Sequence, residues 1–468
     1  MSEDVLYLPV TELSARIRRG ALSPVDLTES YLDRLERLGP KLGAVITITK
    51  ELALEQARQA ERELNAGRYR GPLHGIPFGV KDLLATRGIK TTWGAPPYRD
   101  QVFDYDSTVV RRLREAGGVL LGKLSMIELA GGGGYTNGNA SLVPTVNPWD
   151  TTRWAGGSSS GPGAATAAAL VGFSVGSETW GSILTPSSFC GVSGLRPTYG
   201  RVSRFGAMAL SWTMDKLGPI CRAAEDCGLV LEAIAGYDRN DPGSVEAPFS
   251  YQRGPGSLRG VRLGWIREDF EKNGDPALAP LYQDALGTLR QLGAAVGEAR
   301  LPEFPYGPVA GTVISAEGAA AFDELIRSGR VKELADERQQ KGLGRGMQLS
   351  APDYIRAMRI RRLVQEGMAK LFEEFDAVLS PSLLFTANRM EQDLNEVFRG
   401  GSGIGAAGNL AGLPAISVPM GFGPGPEPSG LPVGLSIMGK AFDEGTVLRV
   451  ASAYQRATDW HTRRPPIT

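Results

Sequence analysis

The sequence predicts an α/β protein whose core is a β-sheet. From about residue 71 onward, short apolar segments such as residues 119–121 alternate with helical segments such as residues 107–116. This alternation is typical of a sheet that is covered by helices. The chain has 468 residues, with neither an internal repeat nor a long polar linker. A single domain over residues 1–468 is therefore the simplest prediction.

Residues 1–66 are predicted to form a helical N-terminal segment. Ser23 suits a helix N-cap, and Gly39 marks the end of the helix that Ser23 begins. Residues 44–49 form a β-branched run, which predicts a short strand. Residues 51–65 return to a helical pattern. The first strand of the sheet is thus expected between two helices.

The second half of the chain is predicted to add strands and a variable helical region. The predicted elements are, in chain order, a strand at 261–265, a helical insert over about 310–375, strands at 377–379 and 415–418, a Gly/Pro-rich loop over 421–432, a strand at 433–438 and a closing helix at 444–454.

Composition argues against several classes of function. The 51 Lys and Arg residues balance the 51 Asp and Glu residues, so net charge gives no reason to bind nucleic acid or a membrane surface. The chain has only 3 cysteines, too few for a disulfide framework, and its acidic N-terminus does not resemble a signal peptide. No apolar stretch reaches the roughly 18 residues that cross a bilayer. We therefore expect a cytoplasmic protein.

Histidine is nearly absent, which limits the chemistry available to a hydrolase. The 2 histidines are His74, in a predicted turn, and His461, in the polar C-terminal tail. No histidine or cysteine spacing predicts a metal site. If the chain is a hydrolase, we expect another group to move the protons.

Three segments carry residues that suit catalysis. Residues 75–82 (GIPFGVKD) place Lys81 at the end of an apolar run, where burial lowers the pKa of a lysine. Residues 156–163 (GGSSSGPG) lead into an alanine-rich helix, and residues 176–183 place Ser182 after a glycine, in a turn that can aim N–H groups at one point. Alone, the first segment could hold an ordinary solvated lysine, and the second could be a flexible linker or a phosphate-binding loop, although no Gly-Lys-[Ser/Thr] follows. The serine turn alone is weak evidence.

Taken together, the three segments resemble the amidase signature family of Ser-cisSer-Lys amidohydrolases. Residues 194–203 (GLRPTYGRVS) and 409–419 (NLAGLPAISVP) extend the resemblance over nearly the whole chain. Ser158 and Ser182 are 24 residues apart, which is the family spacing. The resemblance implies a large, mixed and twisted β-sheet surrounded by helices, with the catalytic core in residues 71–226.

The resemblance also implies individual roles. Ser182 is expected to be the acylated nucleophile, Ser158 the proton relay after a cis peptide bond from Gly157, and Lys81 the general base. The residues expected to bind substrate are Thr179, Trp180 and Gly181 in the oxyanion hole, and Gly131, Gly132 and Gly133 in the acyl pocket. The family requires neither a metal nor another cofactor.

Trp180 is a departure from the family, which usually has glycine before the Gly-Ser pair of the nucleophile turn. Because the chain accepts tryptophan there, we expect ordinary backbone angles at this residue. The indole is expected either to fill the core or to form a wall of the substrate pocket, and we favour the wall.

The predicted function is that of an amidase, which hydrolyses a carboxylic amide to an acid and ammonia or an amine. The expected partner is a small-molecule amide substrate. We expect the protein to bind neither nucleic acid nor a membrane, and whether it forms a homodimer is left open. One alternative is the A subunit of the glutamine-dependent aminoacyl-tRNA amidotransferase, whose members usually carry an aspartate where residues 400–405 (GGSGIG) have none. The other alternative is a non-catalytic binding protein on an amidase scaffold.

Overall fold

The computed structural model describes residues 2–131, 144–397 and 403–467. Within these residues the strands are β1 (Val45–Ile48), β2 (Pro77–Lys81), β3 (Val119–Leu124), β4 (Val146–Asn147), β5 (Asp150–Trp154), β6 (Phe173–Glu178), β7 (Ser193–Arg196), β8 (Lys216–Cys221), β9 (Arg262–Ile266), β10 (Ala295–Ala299), β11 (Ala377–Pro381), β12 (Ala415–Gly423) and β13 (Leu431–Gly439).

The α-helices surround these strands. They are α1 (Val10–Arg18), α2 (Pro24–Leu38), α3 (Lys50–Asn65), α4 (Thr108–Glu115), α5 (Ser160–Ala167), α6 (Leu184–Cys190), α7 (Ala224–Ile234), α8 (Arg267–Glu271), α9 (Ala279–Gln291), α10 (Tyr306–Ala321), α11 (Asp323–Arg327), α12 (Glu337–Gly346), α13 (Ala351–Glu374), α14 (Leu394–Val397), α15 (Gly403–Ala411) and α16 (Glu444–Ala457). No helix among the described residues is both long and apolar enough to cross a membrane.

Eleven strands form one sheet in the order β1-β3-β2-β6-β8-β7-β12-β13-β11-β9-β10. The pairs β2–β3, β2–β6, β9–β10 and β9–β11 are parallel, whereas β6–β8, β7–β12 and β12–β13 are antiparallel. The strand faces are covered by buried aliphatic side chains from the helices, which form the main core. The fold-class prediction of a large mixed sheet surrounded by helices is therefore confirmed.

The N-terminal elements follow the sequence pattern closely. The Ser23 hydroxyl accepts hydrogen bonds from the N–H groups of Val25 and Asp26, so it caps α2 as predicted. Helix α2 ends at Leu38, before Gly39. The predicted strand and second helix of this segment correspond to β1 and α3.

Two expectations from glycine-rich stretches are wrong in extent. The loop predicted over residues 421–432 is shorter, because β12 reaches Gly423 and β13 begins at Leu431. The helix after the Gly/Ser segment starts earlier than its alanine run, at Ser160. A Cβ at Gly161 would lie 2.6 Å from the carbonyl oxygen of Ala44, so glycine lets α5 pack directly on neighbouring backbone.

Parallel pairing brings the site residues to one edge of the sheet. Strands β2 and β6 are neighbours, and Val80 is paired with Val175. Lys81 ends β2, while β6 ends at Glu178 and continues into the turn that carries Ser182. Because parallel strands point their carboxyl ends to the same side, the lysine and the serine turn meet there.

Candidate active site

Lys81 lies at the centre of a hydrogen-bonded chain of side chains. Its side chain is completely buried, and its Nζ lies 2.8 Å from Ser158 Oγ and 2.9 Å from Ser177 Oγ. Burial lowers the pKa of Lys81 to about 7, although the negative charges of Asp215 and Glu178 act in the opposite direction. A substantial fraction of this lysine is therefore neutral near neutral pH.

Ser158 connects this lysine to Ser182. The peptide bond between Gly157 and Ser158 is cis, as the resemblance predicted. Ser158 Oγ donates a hydrogen bond to Ser182 Oγ at 3.0 Å. The carbonyl oxygen of Ser158 accepts a bond from Ile127 N at 3.1 Å, which fixes the backbone behind the hydroxyl. The structure thus brings Lys81, Ser158 and Ser182 into one continuous chain of contacts.

The turn before Ser182 leaves several N–H groups available. Gly181 has φ +88°, in the left-handed region that favours glycine, whereas Trp180 does not have a positive φ. The prediction of ordinary backbone angles at Trp180 is confirmed. In the described part of the chain, the N–H groups of Trp180, Gly181 and Ser182 donate to no protein acceptor. They are therefore free to bind a developing negative charge on a substrate oxygen.

Glu178 anchors this turn and was not singled out from the sequence. Its buried carboxylate accepts hydrogen bonds from Ile183 N at 2.8 Å and Leu184 N at 3.0 Å. It also pairs with Arg196 at 2.7 Å and accepts a bond from Asn409 Nδ2 at 3.0 Å. Although burial opposes ionisation, Arg196 and Lys216 lower the pKa of Glu178 to about 2. Arg196 lies in residues 194–203 and Asn409 in residues 409–419, the two later segments that resemble the family. This placement was the sequence signal that could have pointed to Glu178.

A cavity of about 320 Å³ opens beside the two serines. Its lining residues are Ile127, Ala130, Gly131, Trp154, Gly157, Ser158, Thr179, Trp180, Ser182, Thr185, Leu210, Gly311, Ile314, Ser315 and Leu394. No charged side chain is among these described residues. A largely apolar cavity with a few polar groups at one end is the usual form of a small-molecule site.

Trp180 and Gly131 both line the cavity beside the two serines. The indole of Trp180 is 41% exposed and lines the cavity, so it is not a core filler. A Cβ at Gly307 of α10 would lie 3.8 Å from its ring, which places the indole against that helix. Gly131 lines the same cavity, whereas Gly132 and Gly133 lie outside the described residues.

Other candidate residues lie elsewhere or outside the described chain. The Nε2 atom of His74 faces Glu63 at 3.2 Å, and the carbonyl oxygen of His461 accepts a bond from Arg222. Neither histidine lines the cavity. The stretch 400–405, whose lack of a carboxylate argued against glutamine, lies partly outside the described residues.

Comparisons with known proteins agree with this geometry. The Amidase family matches residues 26–448. The A subunit of the glutamyl-tRNA(Gln) amidotransferase of Methylococcus capsulatus is 40% identical over 489 residues, which cover 97% of this chain and 98% of that protein. The solved peptide amidase from Stenotrophomonas maltophilia has a TM-score of 0.86 and 33% identity, with 98% of both chains covered. The solved A subunit of the glutamyl-tRNA(Gln) amidotransferase from Thermotoga maritima has a TM-score of 0.80 and 28% identity, also with 98% of both chains covered.

The names of the curated relatives contradict the partner prediction. The sequence predicted that the protein acts on a small-molecule amide and binds no nucleic acid. It left open whether the protein forms a homodimer. Relatives from several bacteria are instead named as the A subunit of an amidotransferase for glutamyl-tRNA. The expectation is therefore wrong. The exclusion of nucleic acid rested on net charge, and a net charge of zero carries no information about contacts made by other subunits of an assembly.

Proposed function

Because the chain belongs to the amidase family and is a hydrolase of carbon–nitrogen bonds, we propose that it cleaves a carboxylic amide through an acyl-enzyme on Ser182. The observation that carries this proposal is the chain of contacts from Lys81 Nζ through Ser158 Oγ to Ser182 Oγ, at 2.8 Å and 3.0 Å. A serine needs a base to become a nucleophile, and a lysine with a pKa of about 7 supplies one without histidine.

The reaction follows from the order of these groups. Ser182 Oγ attacks the amide carbon while its proton passes to Ser158 Oγ and the Ser158 proton passes to neutral Lys81. The N–H groups of the turn bind the resulting oxyanion. The lysine returns the proton through Ser158 to the leaving nitrogen, and the C–N bond breaks. Water then cleaves the acyl ester by the same relay, releases the acid and restores Ser182.

We further propose that the chain is the amidase component of a glutamyl-tRNA(Gln) amidotransferase, with glutamine as the amide. Support comes from the curated relatives, which carry this name and align over nearly their whole length. In such an assembly, this component liberates ammonia from glutamine and works only with partner subunits. A cytoplasmic location belongs to the same proposal and is favoured by three buried, free cysteines, Cys190, Cys221 and Cys227.

A second candidate is hydrolysis of a peptide amide. It is favoured by one observation, the absence of a charged side chain among the described residues that line the cavity. Glutamine carries an α-ammonium and an α-carboxylate, and burying such charges without partners is costly. The solved peptide amidase from Stenotrophomonas maltophilia also aligns with 98% of this chain.

A single assay separates these candidates. Ammonia release is measured with glutamine and with a C-terminally amidated dipeptide, using the chain alone and the chain co-expressed with the genes that flank its own. Release from glutamine only in a complex supports the amidotransferase component, whereas release from the peptide amide by the chain alone supports the second candidate. If the Ser182→Ala variant retains the activity found, the acyl-enzyme proposal is wrong.

A further inference from the structure

Asp215 ties together two walls of the cavity and was not singled out from the sequence. It directly precedes β8, and its Oδ1 accepts a hydrogen bond from Thr179 Oγ1 at 2.5 Å. Its Oδ2 accepts bonds from Leu210 N at 2.8 Å and Ser211 N at 2.9 Å. Thr179 and Leu210 both line the cavity beside Ser182. One carboxylate therefore joins the start of the nucleophile turn to the segment of Leu210 and Ser211.

Thr179 and Leu210 also line a second cavity, next to Asp215. This cavity measures about 140 Å³, and Asp215 lies in its wall together with Ser177, the second hydrogen-bond partner of Lys81. Ala130, Thr179 and Leu210 line both cavities. Loss of the carboxylate would remove the three bonds that Asp215 accepts from Thr179, Leu210 and Ser211.

The charge of Asp215 also acts on Lys81. Asp215 and Glu178 are the two anions that favour the protonated lysine, and Asp215 has the larger effect. The cations that face this group of residues are Lys216 on β8, Arg196 on β7, Arg204 in the Asp215 cavity and Arg361 on α13. Lys216 further holds the turn, since its Nζ donates to the carbonyl oxygen of Thr179 at 3.4 Å.

We propose that Asp215 is a positioning residue for amide hydrolysis, which holds Thr179 and Leu210 in place and sets the charge environment of the general base. This inference rests on the proposed role of Lys81. It adds a residue that touches neither the substrate nor Ser182 and acts through Thr179 and through its charge.

Variants of Thr179 and of Asp215 separate the effect of the hydrogen bond between them from the effect of the Asp215 charge. Thr179→Val removes the hydroxyl but keeps the charge, so we expect kcat/KM to fall by roughly tenfold, as for a lost hydrogen bond to a charged group. The acid limb of its pH profile should not move. Thr179→Ser keeps the hydroxyl and should restore most of the activity.

Asp215→Asn removes the charge as well. The protonated lysine then loses an anion that stabilises it, so the neutral base persists to lower pH. We expect kcat/KM to fall and its acid limb to move to lower pH by roughly half a unit or more. The matched control is Asp226→Asn, because Asp226 is a buried carboxylate that accepts two backbone bonds, from Val10 N and Thr11 N, away from the site. Its profile should coincide with that of the wild type.

The outcomes distinguish this inference from the proposed function. If activity depends on Ser182 but Thr179→Val is as active as Thr179→Ser, the tie to Asp215 has no catalytic role and the inference fails. It also fails if folded Asp215→Asn has an unmoved acid limb. The Thr179 pair alone decides the matter if Asp215→Asn does not fold. Retention of activity in Ser182→Ala would instead overturn the proposed function.

Discussion

The three side chains Lys81, Ser158 and Ser182 are close enough to move protons as one unit. Contacts of 2.8 Å and 3.0 Å join them, and none can act without its neighbour. We therefore expect Ser182→Ala to reduce kcat by at least about 10³-fold. Lys81→Ala and Ser158→Ala should each cripple acylation, and the double variant should be little worse than the worse single variant. Steady-state kinetics of the four variants test this, and losses that add independently would contradict a shared relay.

The pKa of Lys81 predicts the pH dependence of the reaction. Only the neutral lysine accepts a proton, and its pKa is lowered by burial to about 7. As the pH falls below this value, the lysine becomes protonated, so kcat/KM should fall about tenfold per pH unit. Above about pH 8 the lysine is mostly neutral, and this group should cause no further rise. A rate that keeps rising toward the ordinary pKa of lysine, near 10.4, would rule out a buried neutral base.

Glu178, which anchors the nucleophile turn, gives a third prediction, on thermal stability. Glu178 holds the N–H groups of Ile183 and Leu184 and is itself held by Arg196. Glu178→Gln keeps the shape but removes the negative charge opposite a fully buried guanidinium. Removing one partner of a buried pair costs about 3–5 kcal/mol. We expect a clear drop in the midpoint of thermal unfolding, whereas Glu374→Gln, at the C-terminal end of α13, should not change it.

The sequence identified the residues expected to carry out the chemistry but not the residues that hold them in place. Lys81, Ser158 and Ser182 stand in recognisable segments, and the structure brings them together. Glu178 and Asp215 were missed because some of their partners are distant in sequence and the nearer ones are backbone N–H groups: Asn409 lies 231 residues from Glu178, and Thr179 lies 36 residues from Asp215. A single carboxylate in a sequence carries no sign of the backbone N–H groups that it will accept.

At the scale of elements, α10 and the nucleophile turn together shape the cavity. Trp180 projects from the turn and lies near Gly307 of α10, while Gly311 and Ile314 of the helix line the same space. The indole occupies volume that the usual family glycine would leave open. We expect Trp180→Gly to retain a working triad and to accept bulkier acyl groups, because only the side chain, and not the backbone, has changed.

The measurement is kcat/KM across amides of increasing acyl size. A suitable control is Trp460→Gly, which removes an indole that stacks on Arg463 at 4.3 Å and does not line the cavity. The control should keep the wild-type size profile. An unchanged profile in a folded Trp180→Gly protein would show that the indole does not limit the substrate.

The β12–β13 pair shows why composition misjudges the length of some elements. Gly421 and Pro432 predict a loop, yet both lie in paired strands. The neighbouring strand β7 pairs with β12 only at residues 415–417, and β11 reaches β13 no further than Leu435. Beyond those points, among the described residues, the two strands pair with each other, apart from one bond from Ser382 N to Gly434 O. Each then has a free edge, where proline is tolerated because no ladder bond is lost.

At the scale of the whole molecule, we propose that the chain folds as one domain over residues 1–468. One continuous sheet runs from β1 to β10 and supports this proposal. The helical N-terminal segment supplies the edge strand β1, which pairs with β3, and β3 pairs in turn with β2, the strand of Lys81. The variable helical region supplies α10, a wall of the cavity. These contacts join both segments to the site, so neither segment is separable from it.

This arrangement predicts the effect of removing residues 1–66. The deletion exposes the edge of β3 and leaves the Asp226 carboxylate without the N–H groups of Val10 and Thr11. It also removes Arg34, whose buried guanidinium donates to Ala168 O at 2.8 Å at the end of α5, the helix that follows Ser158. The intact chain should unfold in one cooperative transition and label at Ser182 with a fluorophosphonate probe.

The shortened chain should show neither property, because the support of β2 and α5 is lost together with the N-terminal helices. Calorimetry and probe labelling measure the two properties independently. Full-length Ser182→Ala provides the control for labelling, since it should melt like the wild type and remain unlabelled. A shortened chain that melts cooperatively and labels at Ser182 would show that residues 1–66 are an accessory segment, and that the catalytic domain begins after them.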